Sequence, residues 1–127
     1  MPTILVLDDN AEDVELIRRI TVEGDYTILV AQNLEDFRLQ LEQQPIDLAI
    51  ISLATVSEAD TPLLQHVLRQ APDTRVLALA PPRRGDGLAT LLRAESLHAH
   101  RLLAKPIDPE QLLTLLNLTF PQPTRQD

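Results

Sequence analysis

The sequence predicts an α/β domain in which five parallel strands alternate with five helices around a doubly wound sheet. Two observations carry this. Short branched-apolar runs recur at 4–7, 26–31, 47–53, 75–80 and 101–104, as in strands buried on both faces. Between them lie segments with apolar residues at helical spacing, bounded by capping residues, Gly or Pro. Regular alternation of this kind implies right-handed crossovers that cover both faces of a parallel sheet.

Composition bounds the rest. The chain has 127 residues, enough for one domain with a real core. A formal net charge of -8 disfavours nonspecific binding to nucleic acid or to an anionic membrane. Cysteine is absent, which excludes disulfides and thiolate metal sites. Tyr26, Phe37 and Phe120 are the only aromatics, so the core must be built of Leu, Ile, Val and Ala, and no stacking platform for single-stranded nucleic acid exists. No apolar run reaches the length of a membrane span and no signal peptide precedes the first strand, so a cytoplasmic location is expected.

Ile4-Leu5-Val6-Leu7 runs straight into Asp8-Asp9. Neighbouring strand residues point to opposite faces, so two adjacent charges mark the strand's end. In an open parallel sheet that end is where ligands bind. Two readings stand here: an acidic pocket floored by Asp8 and Asp9, or a helix start in which Asp9 and Asn10 serve as caps. The first helix is expected over 10–23, with Val14, Ile17 and Thr21 on its apolar stripe, Glu12 and Asp13 complementing the macrodipole, and Gly24 as its stop. The second strand, 26–31, leads to a second helix from Asn33, with Leu34, Phe37 and Leu41 inward and Pro45 closing it.

The third strand, 47–53, is almost wholly apolar and therefore central, with Ser52 near its carboxyl end. A loop over 54–60 precedes a third helix with Thr61 as N-cap, Pro62 at the first helical position, and Leu63, Leu64, Val67 and Leu68 along it. The fourth strand is 75–80. Pro-Pro-Arg-Arg-Gly-Asp-Gly at 81–87 reads as an exposed, partly stiff loop, and its Arg-Gly-Asp as coincidence. A fourth helix over 88–96 has Leu88, Leu91 and Leu92 on one side. The fifth strand, 101–104, ends at Lys105-Pro106. Asp108 and Pro109 open a last helix running to about 119, with more leucines than one buried stripe can use. The domain is expected over 1–120, with 121–127 a tail or severed linker.

An acidic pair after strand one, apolar strands three and four, and Lys-Pro after strand five together resemble the receiver domain of two-component response regulators, over essentially the whole chain. The resemblance implies a flavodoxin-like, CheY-like sheet of order 2-1-3-4-5. It also implies phosphoryl transfer from a phosphohistidine to an aspartate. That chemistry uses a carboxylate nucleophile, a divalent metal held by acidic side chains, and a lysine paired with phosphoryl charge. By position Asp8 and Asp9 match the acidic pair, Lys105 the lysine, and Pro106 the proline whose peptide bond is typically cis.

Other positions depart from the pattern. The phosphoacceptor position holds Ser52, the strand-four hydroxyl position Ala80, and the switch aromatic position Leu102. His98-Ala99 replaces a Gly-Ala pair and Thr55-Val56 a Met-Pro pair. Ser52 cannot form an acyl phosphate, and no general base at a strand end activates its hydroxyl. Its substitution also removes one of the anionic groups that would hold Mg²⁺. Ala80 cannot donate to a phosphoryl oxygen, and Leu102 has no ring to report a switch.

The expected protein is therefore a degenerate receiver: a phosphorylation-independent interaction module in signal transduction, and no enzyme. It needs no cofactor, with at most weak or vestigial Mg²⁺ binding at Asp8 and Asp9. The rival is a receiver that keeps residual Mg²⁺- and phosphate-dependent switching through Asp8, Asp9 and Lys105. A flavodoxin-like ligand-binding domain is disfavoured, because the first turn has no glycine and two negative charges. Lys105 is expected to pair with Asp8 or Asp9, and His66, His98 and His100 to be surface residues. Partners are expected to be a signalling protein or attached output domain, with a homodimer through the face of the fourth helix, fifth strand and last helix. Arg93, Glu95 and Glu110 would form its charged rim. No nucleic acid or membrane is bound directly.

Overall fold

The structure, a computed structural model, describes residues 1–82 and 87–121. The strands are β1 (Thr3–Leu7), β2 (Thr27–Ala31), β3 (Leu48–Ser52), β4 (Arg75–Ala80) and β5 (Arg101–Ala104). The helices are α1 (Ala11–Thr21), α2 (Leu34–Gln43), α3 (Thr61–Arg69), α4 (Gly87–Ser96) and α5 (Pro109–Thr119). All strand pairs are parallel, and the sheet order is β2-β1-β3-β4-β5, as the resemblance implied. The expected 83–86 part of the loop, including its Arg-Gly-Asp, and the tail from 122 onward lie outside the described residues.

The period-2 alternation of the strands divides the core in two. Leu5, Leu7, Ala49, Ile51, Val76 and Ala78 face α2, α3 and α4, where they meet Phe37, Leu64, Val67 and Ala94. Ile4, Val6, Leu48, Ile50, Leu77 and Leu79 face α1 and α5, where they meet Ile17, Leu112 and Leu116. β3 is buried along its whole length, which its apolar composition required.

Caps set the helix starts. Asn10 Oδ1 accepts from the Asp13 N–H at 3.0 Å, Asn33 Oδ1 from Asp36 at 2.8 Å, and Asp108 Oδ1 from Glu110 at 2.9 Å. α1 ends at Thr21 rather than 23: the Thr21 hydroxyl turns back to the Ile17 carbonyl at 2.8 Å. The helix closes at Val22, before the expected stop at Gly24, where a Cβ would come 2.5 Å from the Tyr26 ring and force that ring to shift. The N-cap of α3 is Asp60, not Thr61. The chain enters that helix through a 3₁₀ turn, Glu58–Asp60, capped by Ser57, where a plain loop was expected.

One further expectation is corrected, the place of Arg93. Leu88, Leu91 and Leu92 share a side of α4, as expected, and it is the solvent side, at 71%, 56% and 60% exposed. The inward stripe is Thr90, Arg93, Ala94 and, just past the helix, Leu97. Arg93 is thus no rim residue. On α5, Leu112 and Leu116 are buried while Leu113 and Leu118 face solvent, so the leucine excess does turn outward. α4 closes in a Schellman arrangement, with the His98 N–H donating to the Glu95 carbonyl at 2.9 Å and the Ala99 N–H to that of Ala94 at 3.1 Å. His98 takes the left-handed conformation this needs, at φ 57°.

Candidate functional site

The chemistry-bearing residues gather at the carboxyl edge of the sheet. β1 and β3 pair with Leu7 level with Ile51, so Asp8 and Ser52 follow at the ends of neighbouring strands. The Asp8 N–H extends the ladder to the Ala31 carbonyl at 3.1 Å, which fixes the residue's backbone. Its side chain is fully buried. Asp8 Oδ1 accepts from the Asn10 N–H at 2.9 Å, and Oδ2 lies 3.1 Å from Lys105 Nζ. The latter is an ion-pair contact without hydrogen-bond alignment.

Lys105 leaves β5 beside β4, its N–H donating to the Ala80 carbonyl at 2.9 Å, and its bond to Pro106 is cis. The ammonium also meets Asp13 Oδ2, at 2.8 Å. Sequence reasoning assigned Asp13 to the macrodipole alone and missed this contact. Burial by itself would depress the lysine pKa. The contacts with Asp13 and Asp8 outweigh it and hold the ammonium above the ordinary lysine value.

Asp9 takes no part in this ion pairing, so of the two expected partners Lys105 takes Asp8. Asp9 is exposed, and it forms a reciprocal pair with Thr55: the Asp9 N–H donates to Thr55 Oγ1 at 3.2 Å, and the Thr55 hydroxyl to Asp9 Oδ1 at 3.1 Å. Ser52 is 1% exposed, and its hydroxyl has no hydrogen-bond partner among the described residues. Ala80 is buried at the end of β4. Leu102 is half-buried, in register with Ala78, and packs on the α2–α3–α4 side of the core. His66, His98 and His100 are exposed, though His100 Nδ1 accepts from the Val76 N–H at 3.3 Å.

The segment after Ser52 is held from α4. The Arg93 guanidinium donates to the carbonyls of Leu53 at 2.7 Å and Ser57 at 3.1 Å, to that of Val56, and to Thr61 Oγ1 at 3.0 Å. Burial pushes its pKa down, opposed by the charge of Glu58. A guanidinium has five donors in a planar fork, which suits several carbonyls converging from one loop.

The family profile described as response regulator receiver domain matches residues 4–117. The chain belongs to the receiver-domain family. No curated protein matches it by sequence. Among solved structures it is similar to a response regulator from Thermotoga maritima, with TM-score 0.82 and 19% identity over 96% of this chain and 99% of that one. It is also similar to the chemotaxis protein CheY4 of Vibrio cholerae, with TM-score 0.79 and 18% identity over 94% and 99%. A third is a Burkholderia pseudomallei response regulator described with a phosphorylated aspartic acid and a calcium ion. It has TM-score 0.74 and 23% identity over 90% of this chain and 65% of that one. At these identities the likeness establishes the fold. Receiver domains are generally signalling modules, often attached to output domains, and NtrX of Brucella abortus, of which this chain covers 26%, is a longer example. Among the described residues no helix is long and apolar enough to cross a membrane.

A receiver's divalent metal does not fit the donors found here. Mg²⁺ needs near-octahedral oxygen ligands, with carboxylates among them. Of the acidic pair, Asp8 has one oxygen on a backbone N–H and the other against an ammonium, and Asp9 has an oxygen on Thr55. The third position supplies a neutral hydroxyl. Among the described residues no group of three His, Asp or Glu side chains is arranged to hold a metal ion.

Proposed function

We propose that this receiver domain acts in two-component signalling as a phosphorylation-independent protein-interaction module. The observation that carries the reading is Ser52, buried at the end of β3 where the family places its acceptor carboxylate. A serine there forms no acyl phosphate. Ala80 and Leu102 remove the hydroxyl and the aromatic ring through which a phosphoryl group would be read. The domain is not an enzyme, requires no cofactor, and works in the cytoplasm on a signalling protein or an attached output domain. Its contact surface is the edge of the sheet formed by α4, β5 and α5. There Leu88, Leu91 and Leu92 on one helix and Leu113 and Leu118 on the other stand in solvent, and a symmetric homodimer is the simplest assembly they support.

The test is incubation with acetyl phosphate and Mg²⁺ followed by intact mass measurement. No adduct is expected. A stoichiometric, hydroxylamine-labile phosphoryl group on any aspartate overturns the reading.

A further inference from the structure

We infer that Lys105 is the resident cation of the carboxyl-edge pocket, held by Asp8 and Asp13 in the place of a divalent metal, and that Asp13 is the positioning residue that makes this arrangement stable. This deepens the reading above, and it rests on that reading in taking the pocket to work without an arriving phosphoryl group.

Lys105 is the only lysine in the chain; the other ten basic residues are arginines. An ammonium is a compact point charge with three donors on a flexible stem, whereas a guanidinium is a planar fork. Two carboxylates approaching from different elements, Asp8 from the end of β1 and Asp13 from the first turn of α1, leave room for the point charge. The lysine side chain is 10% exposed, Asp8 0% and Asp13 21%, so these charges are largely withdrawn from water. A buried carboxylate needs a counter-ion within contact distance. Asp8 alone would meet the ammonium at 3.1 Å; Asp13, from a different element, adds a second and shorter contact at 2.8 Å and pins the ammonium over Asp8. The Asn10 cap holds the first turn of α1 where Asp13 can reach: its side chain takes the Asp13 N–H, while its own N–H binds Asp8 Oδ1.

The consequence is that a divalent cation must displace Lys105 to reach Asp8. What remains for it is Asp9, an exposed carboxylate already bonded to Thr55, and a single exposed carboxylate holds a hydrated divalent ion weakly.

The experiment uses Mn²⁺ as a paramagnetic probe, with amide and lysine ammonium resonances as the readout. The sole lysine makes its ammonium signal unambiguous. In the wild type, Mn²⁺ is expected to broaden the Asp8, Asp13 and Lys105 signals only at millimolar concentration, where weak binding at the neighbouring Asp9 sets in. In Lys105→Met, Mn²⁺ is expected to broaden Asp8 and Asp13 selectively at at least tenfold lower concentration. Selective broadening of Asp8 in the wild type at micromolar Mn²⁺, or a folded Lys105→Met that gains no affinity, overturns the inference. If Lys105→Met does not fold, Asp13→Asn decides. Faster exchange and a shifted resonance of the Lys105 ammonium support the positioning role, and an unchanged ammonium signal refutes it. Wild-type Mn²⁺ binding without any acetyl-phosphate adduct would end this inference while leaving the phosphorylation-independent reading intact.

Discussion

Arg93→Ala is expected to be among the most destabilising single changes outside the hydrophobic core. The guanidinium serves four acceptors across the segment that follows Ser52. Two of them, on Ser57 and Thr61, lie on exposed or half-buried residues and can be rehydrated. The carbonyls of Leu53 and Val56 belong to residues only 2% and 3% exposed. A buried polar group that loses its partner costs about 1–3 kcal/mol, so two give roughly 2–4 kcal/mol once partial hydration is allowed for. A lysine reaches one or two of the carbonyls and should recover about half of that loss. Urea denaturation of wild type, Arg93→Ala and Arg93→Lys measures the series, with an unchanged m-value showing that the native and denatured states stay comparable. Amide exchange should quicken across 53–61 before it does in β1 or β4. A loss below about 1 kcal/mol for the alanine variant would refute the argument, because it would mean that the loop carbonyls find water as readily as they find the arginine.

Ser52→Ala should be neutral or stabilising by about 0–1 kcal/mol, since it removes a buried hydroxyl without a partner; a clear loss in urea denaturation would mean that the hydroxyl is satisfied after all. His98→Gly should stabilise by about 0.5–1 kcal/mol, the left-handed strain relieved at φ 57° less the extra entropy of an unfolded glycine, and His98→Ala, which keeps the strain, is the control that must not match it. Lys105 has its folded pKa raised, so its ion pairs contribute stability fully below the unfolded lysine value of about 10.4, and that contribution is lost as pH rises through the higher folded value. The stability difference between wild type and Lys105→Met should accordingly be flat around neutral pH and shrink in the alkaline range, and a difference that vanishes near neutrality would contradict the pairing. Leu91→Glu should abolish any concentration-dependent association seen in sedimentation, and a wild type that stays monomeric at high micromolar concentration would count against the homodimer.

The five strands and the helix starts at Asn10, Asn33 and Asp108 could be read from residue pattern, because alternation and capping are local rules with few competing solutions, whereas the order of the sheet came with the family resemblance. α4 shows where such reading fails. Its richest apolar stripe, Leu88–Leu91–Leu92, is the outer one, and its inner stripe contains Thr90, Arg93 and Ala94. Arg93 was expected on a charged rim, and hydrophobicity does not mark the inner face when a partly buried arginine is satisfied by carbonyls from a distant loop. A signal was present, since Arg93 lies four residues before the buried Leu97 and so on its stripe. Asp13 was hidden for a different reason. An acid in the first turn already has an adequate explanation in the helix macrodipole, and only the position of β5 relative to α1 reveals the lysine it meets. Lys105 was found because the family pattern marked its position, but the choice between Asp8 and Asp9 as its partner depended on which one the strand end buries.

A domain that switches on binding a ligand needs two arrangements whose energies differ by only a few kcal/mol, so that a ligand can tip one into the other. The charged groups at this carboxyl edge are bound to one arrangement by partners of the chain itself. Lys105 is held by Asp8 and Asp13, Asp9 by Thr55, and the loop after Ser52 by Arg93. Drawing Lys105 toward an arriving phosphoryl group would strip Asp8 of its counter-ion, and removing one partner of a buried pair costs about 3–5 kcal/mol. On the proposed reading Ser52 offers no covalent bond to offset that cost, and Ala80 and Leu102 carry neither the hydroxyl nor the aromatic ring that would read a phosphoryl group. On the proposed reading the surface of α4, β5 and α5 is therefore presented continuously, and occupancy follows the concentration of the partner or the effective concentration set by an attached domain.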